Sequence, residues 1–289
     1  MKGGKEYLMN NSLSFFKGIR DDIKIRRHIK KNLPQELLYM KGKLSVSNSD
    51  KSILYLTVHR CASQYILSII KKLIAESDKK HIDVGSYFWR GGKPYREPEK
   101  VFEKHGYIFG PFYGFDEEEF TVPIPNLDDF NILLMLRDPR DILTSFYFHH
   151  AYELYDNPAK KEFILERSRD TLSKTIDDWV IEKSAILKYR YKAYLDIAEK
   201  PNVLLLKYED MIKDFNSWLD TLSGFLNVNV SAGTLNNIRQ KADFSVQKEK
   251  VDAHKRQVAP GDHKRKLKEE TIGILNSEFG EILAKLDYQ

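Results

Sequence analysis

The chain has 289 residues, 42% of them apolar and 12% aromatic, with 47 lysines and arginines against 42 acidic residues. That is enough apolar material for one large core, in a chain slightly long for a single domain. No stretch approaches the roughly 18 uninterrupted apolar residues of a membrane span, and Met1 to Asn10 lacks the apolar centre of a secretory leader. A single cysteine, Cys61, leaves no internal disulfide to form and points to a reducing, cytoplasmic setting. The net charge is +5, and its basic residues crowd into Lys17 to Lys31 and Arg239 to Lys268. The first run reads as a solvated face. The second carries a Pro-Gly-Asp turn and reads as a polyanion-binding loop.

In chain order, residues 1–50 read as an N-terminal helical basic extension, with an amphipathic helix around Phe15 to Lys31 and a polar stretch from Ser45 to Lys51. The main domain, 51–289, opens on the apolar run Ile53 to Val58, of strand length. Ile66, Ile69, Ile70, Leu73 and Ile74 then recur at helical spacing. Tyr107 to Phe112 is a second strand, and Asn131 to Leu136 a third. Asp138 and Pro139 after it suit the cap and first turn of a helix through Ile142 and Phe146. A long helical stretch from Ser173 to Ala198 leads to a fourth strand, Val203 to Lys207, with helix from about Asp210. Helices at Gly233 to Gln240 and Glu269 to Lys285 bracket the irregular basic loop. Apolar strands alternating with helices predict a three-layer α/β/α domain around a mainly parallel sheet. In such sheets ligands bind beyond the carboxyl ends of the strands. The segments just after Val58 and just after Leu136 are therefore the candidate sites.

The first, Thr57 to Tyr65, joins a buried strand to a helix, so its backbone N–H groups and helix N-terminus form an anion site. Arg60 adds a charged fork, and Ser63 and Gln64 add short polar side chains. The G-x-x-x-x-G-K-[ST] cradle of nucleoside triphosphatases is absent here. The second segment repeats the theme, with Arg137 at a strand end and Ser145 two turns into the helix. Two anion sites on adjacent strand ends imply a nucleoside ligand with phosphates at opposite ends.

Together the segments resemble the signature motifs of the PAPS-dependent sulfotransferases, commonly T-Y-P-K-S-G-T-T-W and R-N/D-P-x-D-x-x-x-S-x-Y. The first match rests on Thr57, Arg60 and Ser63; the second on Arg137, Pro139, Asp141, Ser145 and Tyr147. Tyr208-Glu209-Asp210-Met211 is similar to the family's Y-E-D-M. Ala242-Asp243-Phe244 and Arg256 with Pro260-Gly261-Asp262 are similar to its T-S-F and R-K-G-x-x-G-D-W elements.

The resemblance implies a P-loop-like fold, PAPS as donor, PAP as product and no required metal. It implies that Arg60, where the family carries Lys, contacts the sulfuryl group, and that the backbone amides of Cys61, Ala62, Ser63 and Gln64, with the Ser63 and Gln64 side chains, hold the 5′-phosphate. Tyr65 and Phe244 would cover the two faces of adenine and Tyr208 its edge, while Arg137, Ser145 and Arg256 grip the 3′-phosphate. The acceptor would be a hydroxyl, less readily an amine, on a small molecule or glycan, with no nucleic-acid partner. The family's cytosolic base, a His in K-T-H-L-P, has no counterpart between Tyr107 and Asp116. Asp83 is the first candidate for that role, followed by Asp116 and His105. The alternatives are a P-loop-like nucleotide kinase and a non-catalytic nucleotide- or polyanion-binding module. Cys61, at a helix N-terminus, reads either as a redox-sensitive thiol or as a packing residue. The aromatic stretches Tyr87 to Arg90 and Phe146 to Tyr155 read as acceptor walls or as lids and subunit contacts.

Overall fold

Ile53–Thr57 forms β1, in which every residue is buried, so both of its faces are covered. In the computed structural model, which describes residues 23–114, 123–152, 161–246, 249–251 and 256–288, this strand is the centre of the fold. β2 (Lys80–Ile82), β3 (Tyr107–Phe112), β4 (Asn131–Leu136) and β5 (Val203–Lys207) complete one parallel sheet among the described residues, in the order β2-β3-β1-β4-β5. Four of these strands are the apolar runs of the sequence. β2 is an addition, too short and too polar at Lys80 to stand out as a periodic run.

The register of β1 against β4 is regular from Ile53 opposite Asn131 to Thr57 opposite Met135. Against β3 it slips by one residue between Leu54 and Leu56. Gly110 lies at this slip with a φ of 112°, and a Cβ there would stand 2.5 Å from the Tyr55 carbonyl oxygen. Only glycine fits such an approach.

The helices are α1 (residues 23–32), α2 (Pro34–Met40), α3 (Ser63–Leu73) and α4 (Val84–Trp89), then α5 (Pro139–Tyr152), α6 (Lys161–Leu172) and α7 (Ile176–Ala198). The chain continues through α8 (Tyr208–Lys213), α9 (Phe215–Leu226), α10 (Ala232–Gln240), α11 (Asp262–Lys266), α12 (Glu269–Glu278) and α13 (Gly280–Lys285). Local chemistry sets their ends. The Asp138 carboxylate accepts from the Arg140 N–H at 2.9 Å with Pro139 as the first helical residue, and Thr175 Oγ1 accepts from the Asp178 N–H at 3.2 Å at the start of α7.

The described part of the N-terminal extension shares the core. Tyr39 and Met40 are fully buried, the Tyr39 hydroxyl donates to the Val101 carbonyl at 2.7 Å, and Gln35 Nε2 donates to the His81 carbonyl at 2.7 Å. Among the described residues no helix is long and apolar enough to cross a membrane.

Candidate active site

Four of the parallel strands end on one side of the molecule, and the residues that follow them converge. His59 and Arg60 follow β1, Tyr113 follows β3, Arg137 follows β4 and Tyr208 follows β5. All five line a cavity of about 570 Å³.

The turn from β1 into α3 is unusual in its backbone. Arg60 and Ala62 both have positive φ, 65° and 54°, which non-glycine residues adopt at a cost of roughly 1 kcal/mol each. Ala62 takes the place of the glycine in the family's motif. It caps α3 with no side-chain hydrogen bond, so the first N–H groups of an 11-residue helix are left for an incoming acceptor. Ser63 Oγ lies 3.0 Å from the Tyr113 hydroxyl, and Gln64 Nε2 donates to that hydroxyl at 3.0 Å. Thr57 turns away from the cavity and donates to the Met135 carbonyl at 2.9 Å, tying β1 to β4.

The turn from β4 into α5 is locked to this one in both directions. Arg137 Nη1 donates to the Arg60 carbonyl at 3.0 Å, while Arg60 Nε donates to Ser145 Oγ at 3.1 Å. The Arg137 guanidinium is buried, sits 4.3 Å over the Tyr208 ring and has its Nη2 3.6 Å from Asp141 Oδ2. Its Nε is buried with no hydrogen-bond partner. An unpartnered donor on the guanidinium of a cavity-lining arginine is suited to an anionic oxygen, as are the uncapped first N–H groups of α3.

Tyr65 and Phe244 stand edge to face at the cavity wall, ring centroids 5.8 Å apart. Tyr208 lines the wall while its hydroxyl donates to the Val258 carbonyl at 2.7 Å. The side chains read from sequence for the donor therefore gather in one place except for Arg256, and at Cys61 the reading concerned the backbone amide alone. The Cys61 side chain is buried beneath the turn, its Sγ 3.6 Å from the Met135 carbonyl, and burial pushes its thiol up to about 12. The helix N-terminus does not prevail over desolvation here. Arg256 is off the cavity wall: it is buried against Phe148 at 4.0 Å and pairs with Glu249 and Asp262, which satisfy its guanidinium.

None of the base candidates reaches the cavity wall among the described residues. Asp83 caps α4 by accepting from the Ser86 N–H at 2.8 Å, and burial raises its carboxyl above the usual range. His105 is an exposed residue bridged to Lys51 beside the far end of the sheet. Asp116 lies outside the described residues. Of the aromatic stretches, Phe146 lines the cavity while Tyr87 to Trp89 do not, and residues 153–155 lie outside the described residues.

Sequence reasoning gave no individual role to His59, Tyr113, His149, Lys241 or Asp243, all of which line the cavity. His59 stacks on Tyr113 with centroids 4.1 Å apart and planes 4° from parallel, and meets Phe146 edge-on at 5.8 Å. The signal for His59 was its place inside the first candidate turn. Among the described residues no group of three or more His, Cys, Asp or Glu side chains is placed to hold a metal ion.

A family model of the sulfotransferase domain matches residues 124–282, more than half of the chain. The chain belongs to the sulfotransferase family. The matched stretch contains Arg137, Ser145, Tyr208, Phe244 and Arg256 and leaves the turn at 57–65 outside, where its motif departs most from the family pattern. Sulfotransferase 2A2 and sulfotransferase 2A1 of Rattus norvegicus are each 27% identical over 121 residues, 41% of this chain. The match spans about two fifths, 39%, of those relatives' length. Among solved structures, mouse sulfotransferase SULT7A1 complexed with PAP shares the fold, with a TM-score of 0.56 at 17% identity over 86% of this chain and 88% of that one.

Proposed function

We propose that this protein transfers a sulfuryl group from PAPS to a hydroxyl acceptor and releases PAP. The observation that carries the reading is the cross-tie of Arg60 and Arg137 at the strand ends, with the buried Arg137 Nε left without a partner. The likeness of the fold to a PAP-bound sulfotransferase supports it. PAPS, when bound, supplies an activated sulfuryl group whose departure leaves charge on a phosphate oxygen. The N–H groups opening α3 receive the 5′-phosphate beside Ser63 and Gln64. Arg60 faces the oxygen on which charge develops and stabilises it as a fixed cation. Arginine holds its proton, so this is electrostatic stabilisation and not proton donation. Arg137 and Ser145 take the 3′-phosphate, the group that separates PAPS from ATP, while Tyr65 and Phe244 part to admit the adenine between them. Residues 51–289 form the catalytic unit, with 1–50 as its extension, and the single buried cysteine fits a reducing, cytoplasmic setting.

Calorimetry with PAP, ADP and ATP tests the donor half. PAP should bind at least tenfold more tightly than either of the others. Equal affinity for ATP would indicate a nucleotide kinase, and PAP binding without transfer from labelled PAPS to any acceptor would indicate a binding module.

A further inference from the structure

His59 occupies a position that the donor-binding account leaves unused. It precedes Arg60 in the same turn and lines the same cavity. Its ring is fixed between two others, parallel to Tyr113 at 4.1 Å and edge-on to Phe146 at 5.8 Å, yet neither of its nitrogens hydrogen-bonds to a described residue. An imidazole immobilised by stacking, with its nitrogens uncommitted, is built to meet something that enters the cavity.

On the basis of the proposed sulfuryl transfer, we infer that His59 is the catalytic base that takes the proton from the acceptor hydroxyl. The acceptor oxygen forms a bond to sulfur as the bond from sulfur to the bridging phosphate oxygen breaks. That bond's electron pair stays on the phosphate beside Arg60, and the hydroxyl proton passes to a ring nitrogen of His59 and then to solvent. Adjacent residues thus handle the two products of one displacement: Arg60 the negative charge, His59 the proton.

The charged and titratable groups around His59 are Arg190 on α7, His149 and His150 on α5, Arg60 in its own turn and Tyr113 after β3. Burial, then Arg190, His149 and Arg60, lower its pKa to about 4, so the ring is neutral and able to accept at neutral pH. Anionic donor bound against Arg60 acts in the opposite sense and draws the imidazole back toward its ordinary range during turnover. The rings of Tyr113 and Phe146 around it fit a planar acceptor.

A second role for the ring is open to the same experiment. If His59 only propped Tyr113, which contacts Ser63 and Gln64, its loss would weaken donor binding. The test compares wild type, His59→Asn, His59→Gln and His149→Asn, using labelled PAPS and phenols from 4-nitrophenol to 4-methylphenol, with PAP affinity measured by calorimetry. Both His59 variants should bind PAP within about threefold of wild type and lose kcat by about 10²–10³-fold on 4-methylphenol. The loss should shrink to less than about tenfold on 4-nitrophenol, whose acidic hydroxyl needs little help, and His149→Asn should not reproduce the selective loss on 4-methylphenol. Unchanged kcat, an equal loss on every phenol, a collapse of PAP affinity, or the loss appearing in His149→Asn instead would each overturn the assignment. So would a wild type that binds PAP and sulfates none of these phenols. A wild type that neither binds PAP nor transfers label would remove the underlying reading itself.

Discussion

Arg60 Nε and Ser145 Oγ, 85 residues apart in sequence, are 3.1 Å apart in the fold. The bond joins the turn after β1 to the second turns of α5, so the residue proposed to face the sulfuryl group is oriented by one proposed to hold the far phosphate. Ser145→Ala should therefore do two things. It should weaken PAP by about tenfold, the worth of one hydrogen bond to a charged group, and it should lower kcat by freeing Arg60. Calorimetry and single-turnover kinetics separate the two effects.

Arg137→Ala should be more damaging to donor binding. It removes a buried guanidinium that ties the Arg60 carbonyl at 3.0 Å and stacks on Tyr208 at 4.3 Å. A loss of about 3 kcal/mol, on the order of 100-fold in PAP affinity, is expected. PAP affinity left unchanged would remove the donor site from this cavity.

Asp141 is fully buried and accepts from the Gly261 N–H at 2.8 Å, the His263 N–H at 2.9 Å and His263 Nδ1 at 2.6 Å. It couples the later part of the basic loop to the same helix that carries Ser145. Asp141→Ala leaves three buried donors and the nearby Arg137 without that carboxylate, and should cost about 3–5 kcal/mol by urea unfolding.

His81 gives a signature in stability against pH. Its Nε2–H donates to the Gly110 carbonyl at 2.6 Å, and burial holds its pKa down at about 4, against an ordinary 6.5. As pH falls below 6.5 the unfolded chain takes up a proton that the folded one refuses until about pH 4. Stability is thus fully present above that window and is lost progressively within it, by roughly 3 kcal/mol from this residue. His81→Gln, which keeps a donor for Gly110, should flatten the urea midpoint between those limits.

The Cys61 thiol, buried with its pKa pushed to about 12, stays protonated at neutral pH. It should resist Ellman's reagent in the native protein and react fully in urea. Rapid native labelling would revive the reading of a redox-sensitive thiol.

Much of this fold was legible in the sequence, because a strand buried on both faces must be a continuous apolar run. Ile53–Thr57 and Asn131–Leu136 announce themselves in that way, and Asp138-Pro139 marks the helix that follows. Arg137 and Ser145 were legible for the same reason: a residue's distance from a strand end or a helix start is a local quantity. Lys80–Ile82 was not, since three residues carry no period and its place in the sheet depends on pairing with β3.

What the sequence determined by itself, then, was four of the strands in the sheet and the two turns proposed to receive the donor. Which further side chains share the cavity with them was decided only by the tertiary structure. The stack of His59 on Tyr113 exists because β1 and β3 pair side by side with a one-residue slip, and that pairing joins segments some fifty residues apart. The same packing turns Asp83 into a helix cap and leaves Arg256 satisfied by two carboxylates. Charge and residue type are written locally. Which cavity a side chain shares is a long-range property of the packed core, and no spacing along the chain encodes it.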